Sequence, residues 1–266
     1  MNKNNESSEN IKSDNSSEKN KIKHQIAIMS GKGGVGKSFV SSLIATYLSR
    51  KGYKVGLLDA DITGPSIPKI FGIKDNRPSL KENSLIPVLT KNGIKIMSVN
   101  LLLPNENEAV IWRGPLISNV ILQFFNDVFW GELDYLLIDL PPGTSDASLT
   151  VLQNLTVDGV IMVFTPQELT NMIVKKSINM VEKLDKDIIG LVENMSYFEN
   201  AGSGEKINIF GSSKIDDMKN LTHCDISIRL PLSPIFTEYV DNGNIEDLDY
   251  PPFNEFVENI DNFMKK

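Results

Sequence analysis

The chain has 266 residues, of which 41% are hydrophobic and 23% charged, so it can bury the core of one large α/β domain or two small ones. Its formal net charge of −7 argues against a broad basic surface for nucleic acid, and it lacks an apolar run of the roughly 18 residues that a transmembrane helix needs. A single cysteine, Cys224, excludes an intrachain disulfide and fits a reducing compartment, so we expect a cytoplasmic protein.

The first 23 residues consist almost entirely of Asn, Ser, Lys, Glu and Asp. Such a segment cannot bury enough apolar surface to offset the entropy lost on ordering, and it lacks the apolar centre of a secretory signal. We therefore predict a disordered tail over residues 1–23 and one folded domain over residues 24–266.

Short apolar runs then recur along the chain. Residues 25–29 form the first run, residues 39–50 show helical spacing, and residues 54–58 form the second run. Further runs are at residues 135–138, 160–164 and 188–192. Runs that do not alternate with polar residues are typical of strands buried on both faces, so we predict an α/β fold: a mostly parallel sheet with helices on both faces. Asn92-Gly93, between two apolar segments, predicts a local antiparallel hairpin.

The glycine-rich loop after the first run has the pattern Gly-x-x-x-x-Gly-Lys-Ser. Glycines allow several backbone N–H groups to converge on phosphate oxygens, and the helix that follows presents its positive end. The lysine supplies a full charge near the β- and γ-phosphates, and the serine offers its hydroxyl to Mg²⁺. The pattern therefore predicts a P-loop that binds ATP, formed by Gly31, Lys32, Gly33, Gly34, Val35, Gly36, Lys37 and Ser38.

Carboxylates follow two of the predicted strands. Asp59 and Asp61 end the second run, where they can hold waters of Mg²⁺ or orient a hydrolytic water. Asp139 ends the run at residues 135–138, as in a Walker B element, and we expect it to bind Mg²⁺ through water. Gly143, a few residues later, can offer its N–H to a γ-phosphate.

Other polar residues are weaker candidates. Arg113 precedes Gly114-Pro115 and fits either a phosphate contact or a solvent-exposed position. Lys175 and Lys176 are typical of a solvated helix face. His223 and Cys224 are adjacent and rarely chelate one ion together, so we expect no zinc site there.

With Thr165-Pro166-Gln167 and the Glu-Asn-Met-Ser-Tyr-Phe string at residues 193–198, these motifs resemble those of the Mrp/ApbC-type ATPases. These are iron–sulfur cluster carriers within the MinD/ParA group of deviant Walker A P-loop proteins. The resemblance spans about residue 26 to residue 243, and it includes the Trp-Arg-Gly-Pro string at residues 112–115 and the Trp-Gly-Glu-Leu-Asp-Tyr string at residues 130–135.

The resemblance implies a homodimer that sandwiches ATP and Mg²⁺ between its protomers. Lys32 would reach the partner's phosphates and, like an arginine finger, neutralise charge in the transition state. Lys37 would hold the phosphates of its own site, Asp61 would orient the attacking water, and Asn194 would read the adenine edge. Oxygen atoms for Mg²⁺, partly through water, would come from Ser38, Asp61 and Asp139.

One departure from the family concerns the cluster ligands. The family usually has Cys-x-x-Cys shortly after the Tyr-Phe, and two such pairs across a dimer hold a 4Fe–4S cluster. Here Asn200 and Ser203 stand in that stretch, and both are poor iron ligands beside thiolate. We identify no cluster ligands, and Cys224 is expected to be a small buried residue. The cluster, its transfer to apoproteins, and scaffold or acceptor partners are implied by the resemblance alone.

Two alternatives stay open: a MinD/ParA-like positioning ATPase, and a nucleotide-dependent regulatory switch without a cluster. The first requires a basic amphipathic helix for membranes or a basic face for DNA. The C-terminal segment does show helical apolar spacing, but acidic residues line its polar side. The apolar positions are Phe253, Phe256, Val257, Ile260, Phe263 and Met264. We therefore expect this segment to dock on the chain's own core. We expect neither a membrane nor nucleic acid as a partner of the protein.

Overall fold

The computed structural model describes residues 20–61, 64, 66–81, 84–102, 114–200 and 202–266. The strands in these ranges are β1 Lys21–Ser30, β2 Val55–Asp59, β3 Ser79–Lys81, β4 Ser84–Ile86, β5 Val88–Leu89, β6 Lys95–Ser98, β7 Glu132–Asp139, β8 Gly159–Phe164, β9 Ile188–Glu199, β10 Lys206–Ile207 and β11 Ser227–Pro231. The α-helices are α1 Lys37–Arg50, α2 Ile67–Ile70, α3 Gly114–Asp127, α4 Asp146–Asn154, α5 Glu168–Lys183, α6 Ile215–Thr222, α7 Pro234–Asp241 and α8 Pro252–Met264.

A nine-stranded sheet organises the molecule. Its order is β10-β9-β8-β1-β7-β2-β6-β5, and β11 pairs with β9. The pairs from β6 across to β9, and the pair β11 with β9, are parallel, whereas β5 and β10 pair antiparallel at the two ends. The β5–β6 hairpin carries Gly93 at a φ of 81°, so the antiparallel excursion predicted at Asn92-Gly93 is confirmed.

Helices cover both faces of this sheet, as predicted. Ile26 and Ile28 of β1 pack in a core with α1, α2, α7 and α8. Ala27 and Met29, which point the other way, pack in a second core with α3, α4, α5 and α6. Because neither face is open to water, the strands carry continuous apolar runs instead of an alternating pattern.

The amino-terminal strand begins earlier than expected. Residues 21–23 belong to β1 and pair with β7, so the boundary that we placed after Lys23 has to move to before Lys21. Asn20 already contacts the body, because its side-chain amide donates to the carbonyl of Val128 at 3.0 Å. Residues 1–19 of the predicted tail lie outside the described residues, and the division into tail and domain stays a prediction.

The carboxy-terminal helix α8 docks on the chain's own core, as expected. Phe253, Val257 and Ile260 are fully buried beside α1 and the sheet. The carboxylate of Asp261, only 6% exposed, accepts hydrogen bonds from the hydroxyls of Tyr135 at 2.5 Å and Tyr53 at 2.8 Å. These bonds join α8 to β7 and to the turn before β2.

Membrane insertion through a helix was not expected, and no helix in the described part of the chain has the length and hydropathy to cross a bilayer.

Candidate functional site

The sheet order brings the ends of three strands to one place. β7 lies between β1 and β2, and all three run parallel. The P-loop at the end of β1 therefore lies beside Asp139 at the end of β7 and Asp59 at the end of β2. Carboxyl ends of adjacent parallel strands form the ligand crevice of open α/β sheets.

The loop between β1 and α1 has a conformation that only glycine adopts readily at two positions. Gly34 has a φ of 78° and Gly36 a φ of 84°. Gly36 is the N-cap residue of α1, and no side chain caps the helix there. The N–H groups of the first turn thus remain available for an anion, and the helix dipole adds to their attraction.

Lys37 and Asp139 form a buried ion pair next to this loop. Lys37 Nζ lies 2.8 Å from Asp139 Oδ2, and the two side chains are 6% and 0% exposed. The same carboxylate accepts hydrogen bonds from the hydroxyls of Ser38 and Ser41, each at 2.6 Å. The close approach of Lys37 lacks the geometry of a hydrogen bond, so its buried ammonium has unsatisfied donors. A phosphate oxygen is the kind of acceptor that would satisfy them.

A second buried carboxylate, Asp59, lies opposite Asp139 in the β2–β7 register. Burial and the neighbouring Asp139 raise the pKa of Asp59 to about 8, although Lys37 opposes the shift. The carboxylate accepts a hydrogen bond from Ser98 Oγ at 3.1 Å, and the amide of Asp61 donates to it at 3.3 Å. The resemblance gives a role to Asp61 alone, and the structure adds Asp59 as the group that fixes the backbone of Asp61.

An open cavity of about 410 Å³ runs along the P-loop. Asp61 reaches its wall, together with Gly64, Ser66 and Lys69 from the segment after β2. The predicted phosphate-loop residues from Lys32 to Ser38 line it as well. The cavity thus joins the P-loop to a carboxylate suited to positioning water or Mg²⁺.

Lys32 and Gly143 already have partners in this arrangement. The ammonium of Lys32 donates to Gln167 Oε1 at 2.6 Å. The N–H of Gly143 donates to the carbonyl of Ser30 at 2.8 Å. The contact between Gly143 and a γ-phosphate stays a prediction, and it requires that backbone bond to break.

A smaller pocket of about 180 Å³ opens beside Gly36. Asn194 lies at its edge and donates from Nδ2 to the carbonyl of Val35 at 2.8 Å. Met195, at a φ of 53°, turns the chain in a bulge of β9 opposite β11. The remaining lining is largely apolar and comes from Phe39, Pro231, Leu232, Ser233, Phe236, Thr237 and Val240.

Most of these lining residues have no signal in the sequence, because they come together only when β11 and α7 pack against the P-loop. An apolar slot with one amide at its edge suits a planar heterocycle such as a nucleotide base.

Glu193, the first residue of the Glu-Asn-Met-Ser-Tyr-Phe string, has a structural role. Its buried carboxylate accepts from Ser213 Oγ at 2.7 Å and from the amide of Lys214 at 2.6 Å. Arg229 Nε lies 3.3 Å away and completes the charge balance. Glu193 therefore anchors the loop before α6 to the end of the sheet.

Asn200 and Ser203, in the stretch where the family carries its two thiolates, lie between β9 and β10. Asn200 Oδ1 accepts from the amides of Gly202 at 2.9 Å and Ser203 at 3.3 Å, so its side chain closes the turn. Cys224 is 6% exposed in the core below α6, and burial raises the pKa of its thiol. Within the described residues, no group of three or more His, Cys, Asp and Glu could hold a metal ion. Asn200 and Ser203 offer no thiolate, and Cys224 is buried, so these three residues do not fit the ligands of an iron–sulfur cluster.

The weaker candidates lie away from this site or cannot be placed. Arg113 lies outside the described residues. Lys175 and Lys176 are exposed, as expected for a solvated helix face. His223 ends α6 with a left-handed φ of 53°.

Comparison with known proteins agrees with a nucleotide site at the P-loop. The family described as ParA, NUBPL iron-transfer P-loop NTPase, matches residues 21–265. An iron–sulfur cluster carrier protein of Clostridium perfringens is 45% identical over 233 residues, which is 85% of this chain and 82% of that protein. A cytosolic Fe–S cluster assembly factor NUBP2 homologue of Dictyostelium discoideum is 41% identical over 256 residues, which is 90% of this chain and 95% of that protein.

Among solved structures, the nucleotide-binding protein of Archaeoglobus fulgidus in complex with ADP matches with a TM-score of 0.79 and 43% identity. The match covers 88% of this chain and 92% of that one. It confirms the predicted P-loop NTPase fold.

Proposed function

Because this chain belongs to the ParA family of NUBPL-type iron-transfer P-loop NTPases, we propose that it hydrolyses ATP in a dimer and uses the cycle to carry iron–sulfur clusters to apoproteins. The observation that supports nucleotide binding best is the buried ammonium of Lys37, which has unsatisfied donors beside an uncapped helix terminus. A triphosphate supplies both the charge and the acceptors that this arrangement requires.

In the proposed reaction, residues around the P-loop bind the phosphates, Mg²⁺, the attacking water and the base. Lys37 leaves Asp139 and binds the β- and γ-phosphates, while the amides of the loop hold the other phosphate oxygens. The hydroxyl and carboxylate oxygens of Ser38, Asp139 and Asp61 are hard ligands that suit Mg²⁺. When bound with ATP, Mg²⁺ neutralises phosphate charge. Asp61 orients the attacking water, and Asn194 contacts the base.

The proposed dimer gives the γ-phosphate an additional positive charge from a lysine of the second chain. Lys32 is half-buried near the start of the P-loop, beside the exposed Gly33 and Gly34, where a second chain can approach. In the dimer each Lys32 completes the site of the other chain and stabilises charge that develops during transfer.

The two lysines can be separated by experiment. Lys37→Ala should abolish binding of a fluorescent ATP analogue, whereas Lys32→Ala should bind it normally and release phosphate at least about 10²-fold more slowly. Equal effects of the two substitutions on binding, or normal turnover of the Lys32 variant, would contradict the division of roles. Lys176→Ala, on an exposed helix face, is the matched control.

Iron–sulfur handling is proposed from the family and the names of its members. Asn200 and Ser203 supply no thiolate, so we propose that a partner or the acceptor apoprotein provides the sulfur ligands. Anaerobic reconstitution with iron and sulfide tests this, with Cys224→Ser as control. About four irons per dimer in the wild type and none in the variant would make Cys224 a ligand and contradict us. The name of the Dictyostelium relative supports a cytoplasmic location.

A further inference from the structure

The lysine that is proposed to act on the partner chain is held by its own chain in the structure. Lys32 Nζ donates to Gln167 Oε1 at 2.6 Å, across 135 residues of sequence. Both side chains are half-buried. A hydrogen bond from an ammonium to an amide oxygen in such a place is among the stronger ones in proteins.

The surroundings keep the two residues together. A Cβ on Gly31 would lie 2.9 Å from the backbone nitrogen of Val174, so α5 packs directly on the start of the P-loop. The hydroxyl of Ser30 donates to the carbonyl of Lys32 at 3.0 Å and fixes its backbone. Gln167 is the N-cap residue of α5, yet its side chain makes no capping hydrogen bond. Its amide oxygen faces Lys32 instead.

We propose that Gln167 is a positioning residue that holds Lys32 on its own chain until a second copy docks. The inference rests on the proposed function, in which Lys32 acts across the dimer. Because Lys32 must leave Gln167 to reach the partner's phosphates, each protomer loses this hydrogen bond on dimerisation. The contact thus opposes the ATP-bound dimer and protects the monomer from premature pairing.

Two substitutions at one position should act in opposite directions. Gln167→Ala removes the acceptor, and the ATP-bound dimer should become roughly ten- to hundredfold tighter, since two charge-assisted bonds no longer have to break. Gln167→Glu has nearly the same shape and adds a negative charge, so the dimer should become roughly tenfold weaker. Neither change removes a helix cap, and an acidic residue at this position favours the helix.

Sedimentation velocity with Mg²⁺ and a non-hydrolysable ATP analogue measures the dimer Kd of the full chain and both variants. In a Lys32→Ala chain, the same two substitutions should leave the dimer Kd unchanged within about twofold, because the ammonium that bonds to residue 167 has been removed. The wild type could dimerise while both substitutions shift the Kd in the same direction, or while neither shifts it. Either result would refute the role of Gln167 but leave the proposed ATP-bound dimer intact. If the wild type stays monomeric, both proposals fail.

A second measurement examines the contact without a dimer. Acetylation of Lys32 in the nucleotide-free protein is compared with that of exposed Lys176 by mass spectrometry. Relative to the wild type, Gln167→Ala should raise the Lys32 acetylation rate several-fold and Gln167→Glu should lower it, because an amine that is hydrogen-bonded to residue 167 is less accessible to the reagent. Equal rates in all three proteins would overturn the proposal.

Discussion

The contact between Gly36 and Asn194 links the P-loop to the pocket proposed for the base, and it can be tested by a double-mutant cycle. A Cβ added at Gly36 would lie 2.2 Å from Asn194 Nδ2. That amide would have to rotate away and give up its 2.8 Å bond to the carbonyl of Val35. We therefore expect Gly36→Ala to be costly in the wild type and much less so when Asn194 is already truncated.

The free energy of unfolding that Gly36→Ala should cost has two separable parts. The φ of 84° at Gly36 costs an alanine about 1–2 kcal/mol, whatever its neighbours are. The lost hydrogen bond of Asn194, with its buried groups left unpaired, costs roughly another 1–2 kcal/mol. Gly36→Ala should thus lower the free energy of unfolding by about 2–4 kcal/mol alone, but only by about 1–2 kcal/mol in an Asn194→Ala background.

Urea unfolding, followed by tryptophan fluorescence, measures the free energy of unfolding of the wild type, the two single variants and the double variant. The predicted coupling between the two positions is about 1–2 kcal/mol, and the m-values should stay equal. If the two effects add to within about 0.5 kcal/mol, Asn194 does not occupy the space next to Gly36, and the described packing of the base pocket is incorrect.

Three further outcomes concern stability and reactivity. Although burial opposes it, hydrogen bonds from Lys265, Tyr135 and Tyr53 hold the pKa of the Asp261 carboxyl below its ordinary value, so the ionised carboxylate stabilises the fold at pH values above that ordinary value. Asp261→Asn should cost about 1–3 kcal/mol at pH 7, with the difference shrinking as urea titrations are run below about pH 4. Gly31→Ala should destabilise by about 1–3 kcal/mol because its Cβ meets the α5 backbone at 2.9 Å, whereas Gly33→Ala, 3.9 Å from its nearest neighbour, should change little in the same titration. Burial raises the pKa of Cys224, so iodoacetamide at pH 7.5 should label it slowly in the folded protein and rapidly in urea.

Much of the fold could be predicted because buried parallel strands leave a direct trace in the sequence. Residues 160–164 form an unbroken apolar run, and they are the body of β8. The P-loop was identified by its glycines, since the left-handed angles at Gly34 and Gly36 exclude most other residues. The amphipathic pattern of α8 likewise indicated which side would be buried.

Strand order and long-range contacts could not be predicted in this way. No pattern shows that β7 inserts between β1 and β2, and that insertion places Asp59 next to Asp139. β9 continues seven residues beyond the predicted run to Glu199, because a left-handed Met195 lets the strand bulge and carry on. The hydrogen bond between Lys32 and Gln167 joins segments whose proximity depends on the whole sheet. The catalytic roles of Lys32 and Asp61 and the base contact of Asn194 remain predictions.

A mixture of two inactive variants tests the shared site most directly. Lys32→Ala lacks the lysine given to the partner, and Asp61→Ala lacks the carboxylate of its own site. In a mixed dimer, the site on the Lys32→Ala chain keeps its own Asp61 and receives Lys32 from the other chain. If protomers exchange freely, an equal mixture should release phosphate at about a quarter of the wild-type rate, since half the dimers are mixed and each has one complete site of two. A mixture as inactive as its components, although both bind ATP and dimerise, would show that Lys32 does not act across the dimer.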